Sequence, residues 1–169
     1  MGITHPWNFS YTKSLDCIAV NPFVFALFVL VGMPLSAFAQ GGQVEFINGK
    51  KLPGVIQGLT NTKTLVDRTR PDGNRILAVR GIRLPGTRVP IHVHDHSGLT
   101  CVVSGQITDF VEGENDQVFG PGECYYMPEK TPMSAANLGQ DPVMLIDVFV
   151  LPPGEAPMRV VESGVSGHE

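Results

Sequence analysis

From Arg75 onward the chain is a succession of short apolar runs broken by glycine, proline and aspartate. The runs read RILAVRGIRL, RVPIHVH, LTCVVSG, QITDFVEG, DQVFG, ECYYMP, MSAANLG and PVMLIDVFVLPP. Most are rich in Val, Ile, Thr, Phe or Tyr, and the turns between them recur about every eight to twelve residues, the pattern of an all-β sandwich or barrel. No stretch after residue 40 sustains a helical period over ten residues. EGEN (Glu112 to Asn115) and GPGE (Gly120 to Glu123) read as hairpin turns. The segment from Gln40 to Arg70 reads as polar and loop-rich, with apolar patches at Val44 to Ile47 and around Leu65 and Val66. Pro152, Pro153 and Pro157 end the last strand, and the tail VESGVSGHE is expected to be mobile. A length of 169 residues suits one domain.

The beginning of the chain differs from the rest. Phe23 to Val31 is an unbroken apolar run, and Ala37 and Ala39 supply an A-x-A cleavage site, so residues 1–39 read as a signal peptide and 40–169 as the mature domain. A membrane span needs about 20 apolar residues. Pro22 and Pro34 bracket a shorter stretch, so the expectation is an exported protein, periplasmic or secreted, with no stable membrane span after cleavage. The leader departs from the usual pattern in carrying one lysine, Lys13, offset by Asp16. Cleavage removes both and leaves the net charge at −4. With that balance and no Lys/Arg cluster, nucleic-acid binding through a basic face is not expected. Cys101 and Cys124 remain, an even pair that invites a disulfide in an oxidising compartment, or else two small buried hydrophobes. The chain has no phosphate-binding glycine loop, serine nucleophile elbow or zinc-finger spacing.

Three of the five histidines fall at alternate positions in HVHDHSG, His92 to Gly98. On a strand, successive side chains point to opposite faces, so His92 and His94 share a face. If the strand continued, His96 would join them, but Asp95 to Gly98 also carries turn residues. Two imidazoles about 7 Å apart by strand rise can close on one metal ion when the pocket supplies further ligands. The alternative is a polar surface cluster.

Gly86 to His94 is a glycine, five residues and then His-x-His, followed by CVVSG ending at Gly105; GPGECYYMPEKTPMSAANLG lies downstream. These segments resemble the two motifs of the cupin superfamily, with Gly122, Pro128 and Asn137 at the second motif's markers. The resemblance covers about residues 75–153 and implies a single jelly-roll β-barrel. It also implies a metal site made of two histidines and a glutamate from the first motif and a histidine from the second. His92 and His94 match the pair. The glutamate position falls on Gly98 and the second histidine position on Met133. His96 is an extra imidazole close to where the glutamate would reach.

Three site readings follow. His92, His94, His96 and Met133 together would be a soft set favouring copper, especially Cu(I). The three histidines alone would hold Zn, Fe or another divalent ion, leaving a position for water or substrate. A barrel without metal would bind an anion or small ligand directly. Tyr125, Tyr126 and Asp147 are further pocket candidates: an inward tyrosine would donate a hydrogen bond, and an inward Asp147 would hold a histidine in its tautomer, whereas outward they are ordinary strand residues. Thr100 and Val102 should share a face and Cys101 should point the other way. The resemblance places Cys101 and Cys124 on neighbouring strands and so implies a disulfide. It further implies a metal-dependent oxygenase, isomerase, lyase or decarboxylase acting on a small molecule, or else a non-catalytic barrel that binds a metal or ligand. A homodimer is in keeping with it.

Overall fold

The computed structural model describes residues 43–165. The segment read as a signal peptide, 1–39, lies outside them, as does the end of the tail, 166–169. Twelve strands and no helix make up the described residues, an all-β jelly roll of two facing sheets.

The first sheet has the order β2-β3-β11-β6-β9, made of β2 (Thr60–Thr69), β3 (Arg75–Arg83), β11 (Val143–Leu151), β6 (Gly98–Ser104) and β9 (Cys124–Met127). Alternation along these strands decides what enters the interior. Leu77, Val79, Gly81 and Arg83 of β3 face inward, as do Leu145, Asp147 and Phe149 of β11, Thr100 and Val102 of β6, and Tyr125 and Met127 of β9. The ladders put Val79, Asp147, Thr100 and Tyr125 in one row across four strands, and Leu77, Phe149, Gly98 and Met127 in the next.

The second sheet holds β1 (Val55–Ile56), β4 (Thr87–Arg88), β5 (His92–Val93), β7 (Ile107–Val111), β8 (Gln117–Phe119), β10 (Met133–Ala136) and β12 (Arg159–Val160). Its inner face sends Met133, Ala135, Ile107 and Val111 into the core between the sheets. Its outer face packs Ile91, Phe110 and Ala136 against Ile47 and Leu52 of the segment before β1.

Three expectations need correction. The stretch before Arg70 contains the ten-residue strand β2, paired along β3. It escapes a periodicity reading because as an edge strand it is exposed on almost every residue, so neither face selects for apolar side chains. EGEN does close the β7–β8 hairpin, but the GPGE turn leads from β8 into β9 of the other sheet. The tail through Val165 is bound: Arg88 donates to both carboxylate oxygens of Glu162, at 2.7 and 2.5 Å, and the Ile91 N–H donates to the same carboxylate at 2.7 Å.

Cys101 and Cys124 are joined in a disulfide across the β6–β9 ladder, where they are direct partners with Cα atoms 4.0 Å apart. Because they alternate with Thr100 and Tyr125, the bridge lies on the outer face of the sheet.

Candidate metal and ligand site

A cavity of about 400 Å³ opens between the sheets. Its walls are mostly aliphatic and aromatic, with His92, His94, Thr100, Tyr125, Asp147 and Arg83 as the polar groups. A wider hollow of about 840 Å³ adjoins it beneath Gly154 to Val160 and shares Asp147 and Phe149 with it.

His92 stands on β5 opposite Met133 of β10, and His94 follows where the strand ends in a single bridge to Glu129. Both imidazoles are buried. Nδ1 of His92 lies 2.8 Å from the Pro90 carbonyl, and Nδ1 of His94 lies 2.7 Å from the Pro157 carbonyl. A carbonyl only accepts, so each Nδ1 carries a hydrogen and donates it. Burial holds His92 down at about 4, helped by the neighbouring His94, and burial lowers His94 too. Both rings are therefore neutral at pH 7, and each Nε2 carries a lone pair. The two Nε2 atoms lie 3.0 Å apart. Two lone pairs at that distance repel unless a cation stands between them. Nitrogens ~2.0–2.1 Å from one ion, the usual imidazole–metal length, lie ~2.9 Å apart at a right angle and ~3.4 Å apart at the tetrahedral angle. The pair fits a metal ion, with carbonyl-held Nδ1 atoms of the kind that orient metal-bound histidines.

The rest of the expected ligand set is not assembled. β5 ends at Val93 and the chain bends at Asp95 and His96, so alternation stops and His96 comes to lie by Ser97, Tyr126 and Glu129 on the outer side of the first sheet. Gly98 faces the interior at the glutamate position, but a Cβ there would meet Met127 Cε at 2.7 Å and Phe149 Cδ1 at 2.7 Å. The space for a carboxylate is filled by apolar neighbours. Met133 is buried and lines the cavity beside His92, where it is available as a thioether. Among the described residues no group of three or more His, Cys, Asp or Glu side chains comes together to hold a metal.

Tyr125 is buried in the cavity wall, whereas Tyr126 is 58 % exposed and points away from it. Asp147 does face inward, but it accepts a hydrogen bond from Thr100 Oγ1 at 2.7 Å and is no partner of a histidine. Burial pushes its carboxyl above the ordinary range. Burial, with Asp147 and Asp109 nearby, pushes the Tyr125 hydroxyl far up, so it keeps its proton. Two residues were not singled out from sequence. Arg83 is a buried arginine on the cavity wall, legible only by extending the inward alternation of Leu77, Val79 and Gly81. Asp109 faces inward from β7 with one unpartnered carboxylate oxygen, and burial raises it to about 7.

The marker residues of the second motif have physical jobs. Asn137 is fully buried; its Nδ2 donates to the carbonyls of Arg83 and Asp141, at 3.0 and 2.8 Å, and its Oδ1 accepts from the Gly139 N–H at 3.0 Å. Gly122 turns with φ near 85°, where a side chain would be strained.

The sheets and the histidine pair define an all-β jelly-roll protein with an interior cavity. Residues 82–149 match the Cupin domain family, and the chain carries a cupin superfamily domain. Among solved structures it resembles the DMSP lyase DddQ from Ruegeria pomeroyi DSS-3, with 18 % identity and a TM-score of 0.51, over 62 % of this chain and 53 % of that one. The chain thus spans about half the length of that lyase chain. It also resembles a cupin 2 domain-containing protein from Halorhodospira halophila, with 18 % identity and a TM-score of 0.50, over 61 % of this chain and 70 % of that one. At these identities the likeness is one of fold. No curated protein matches the chain.

Proposed function

We propose that the protein is an exported, metal-centred cupin acting on a small molecule, with His92 and His94 holding one transition-metal ion, divalent or copper. The observation that carries this reading is the pair of facing Nε2 atoms 3.0 Å apart, with both Nδ1 atoms donated to carbonyls. Such an ion would act as a Lewis acid on a substrate oxygen. Around it, Thr100 holds Asp147 in place, and Asp147 is the cavity's candidate for moving a proton, a step that lyase or isomerase chemistry requires, while Tyr125 keeps its proton and can donate a hydrogen bond. Export is supported by the apolar leader with its A-x-A site and by a disulfide, which persists in oxidising compartments.

The filled space at Gly98 favours a second reading, a barrel that binds a metal or small ligand without turning it over. Elemental analysis of protein purified without a metal-binding tag tests the first. About one equivalent of a transition metal is expected in the wild type and none in His92→Ala or His94→Ala. Copper lost on Met133→Leu assigns the thioether as a ligand. A wild type that takes up no metal, even after reconstitution, refutes the metal centre and leaves the ligand-binding barrel.

A further inference from the structure

Arg83 is 4 % exposed and lines the cavity. Its guanidinium hydrogen-bonds through Nη1 to the Gln57 carbonyl, and Nε has no partner. Among the described residues, no carboxylate lies within ion-pair distance of it. Asp147 is close enough to be felt electrostatically but is held by Thr100. The other buried arginine, Arg88, also has an unpartnered Nε, but its two terminal nitrogens pair with the Glu162 carboxylate, a partner that Arg83 lacks. A buried cation is costly unless an anion meets it. Here the wall is mostly apolar, its nearest polar groups are Tyr125 and the Thr100-held Asp147, and it opens on a cavity of small-molecule size.

We infer that Arg83 anchors the carboxylate of the ligand, and that the ligand class is an organic acid with an apolar body. The planar guanidinium suits a carboxylate better than a point charge would. Leu145, Met127 and Phe149 supply the apolar surface for the remainder. The inference deepens the reading of this cavity as the ligand site and does not depend on the metal.

The test uses the full chain after dialysis against a chelator, so that a bound ion cannot attract the acid. Dissociation constants are measured by calorimetry at pH 7.5 for hexanoate, octanoate and phenylacetate, each beside its primary amide. At least one acid is expected to bind about tenfold or more tightly than its amide, the scale of a charge-assisted hydrogen bond. Arg83→Gln should erase the preference, and Arg83→Lys should keep only part of it. Equal binding of acid and amide, no binding of any acid, or a preference that survives in Arg83→Gln overturns the inference. If Arg83→Gln does not fold, the wild-type comparison and Arg83→Lys decide it. Metal content, measured separately, judges the metal reading, so either can fail alone.

Discussion

Gly98 occupies the position where the family places a carboxylate ligand, and its surroundings make a quantitative prediction. An alanine there would bring Cβ to 2.7 Å from Met127 Cε and to 2.7 and 2.8 Å from Phe149 Cδ1 and Cε1. The methionine end can swing aside, because its side chain is flexible. The phenylalanine cannot easily do so: Phe149 is buried, and its ring centre lies 5.6 Å from that of His94. Overpacking of this kind costs about 1–3 kcal/mol. For a chain of this size each kcal/mol lowers the melting temperature by roughly 2–4 °C. Urea denaturation of Gly98→Ala should show a lower midpoint at unchanged slope. Adding Met127→Ala should recover only part of the loss, because Phe149 still blocks the site. Gly98→Glu should be less stable still and should bind no more metal than the wild type. A Gly98→Ala variant within about 0.5 kcal/mol of wild type, the usual range of surface substitutions, would refute the argument that the site is packed shut.

Other perturbations follow from the same structure. Burial holds Asp109 at about 7 while its unfolded value is near 3.8, so between those values the unfolded chain gives up the proton first and stability falls as pH rises. The loss is roughly 4 kcal/mol. His92, held at about 4, works with the opposite sign between pH 6.5 and 4, so the check compares Asp109→Asn with wild type. The variant's stability, from urea midpoints at pH 4 to 8, should gain on wild type as pH rises, and an identical slope would dismiss the buried carboxyl. Glu162→Gln leaves the Arg88 cation buried without its charge partner and should cost about 3–5 kcal/mol, read as a fall in urea midpoint; an unchanged midpoint would refute the pairing's role. Reducing the Cys101–Cys124 bridge, which closes a loop of sequence separation 23, should cost roughly 3 kcal/mol. Equal free-thiol titres with and without reductant would show that no bridge forms.

The barrel was legible because a packed sheet imposes period two on the sequence. That period correctly placed Thr100 and Val102 inside and Cys101 outside, and it paired His92 with His94. It failed where the backbone stops being a strand. His96 keeps the spacing of its neighbours, but the bend after His94 turns it to the other side of the sheet. β2 was invisible for the opposite reason: it is a strand throughout but buries almost nothing, so its sequence records no face. Tyr125 and Tyr126 are chemically alike and only register separates them, with Tyr125 beside Thr100 in the inner row and Tyr126 beside Leu99 outside. Arg83 lay within reach of the same alternation. A charged residue on a strand reads as solvent-facing unless its apolar neighbours at 77, 79 and 81 are allowed to outvote it.

The segment least legible of all, the one after Leu151, sets the geometry of the site. His94 has no strand partner beyond one bridge, and its ring is oriented by the Pro157 carbonyl. Pro157 sits just before β12, which pairs with β5 at Val93 and His92. Beyond β12, Glu162 is held by Arg88 of β4 and by the Ile91 N–H. The same stretch of backbone from Ile91 to His94 is thus held from outside by Glu162 and β12, while its two imidazoles face the cavity. An imidazole placed by sequence spacing alone can rotate about its side-chain torsions; one whose Nδ1 is tied to a fixed carbonyl cannot, and its Nε2 is then aimed. The C-terminal segment therefore acts on the site through position, without contributing a ligand, and nothing in its composition announces this.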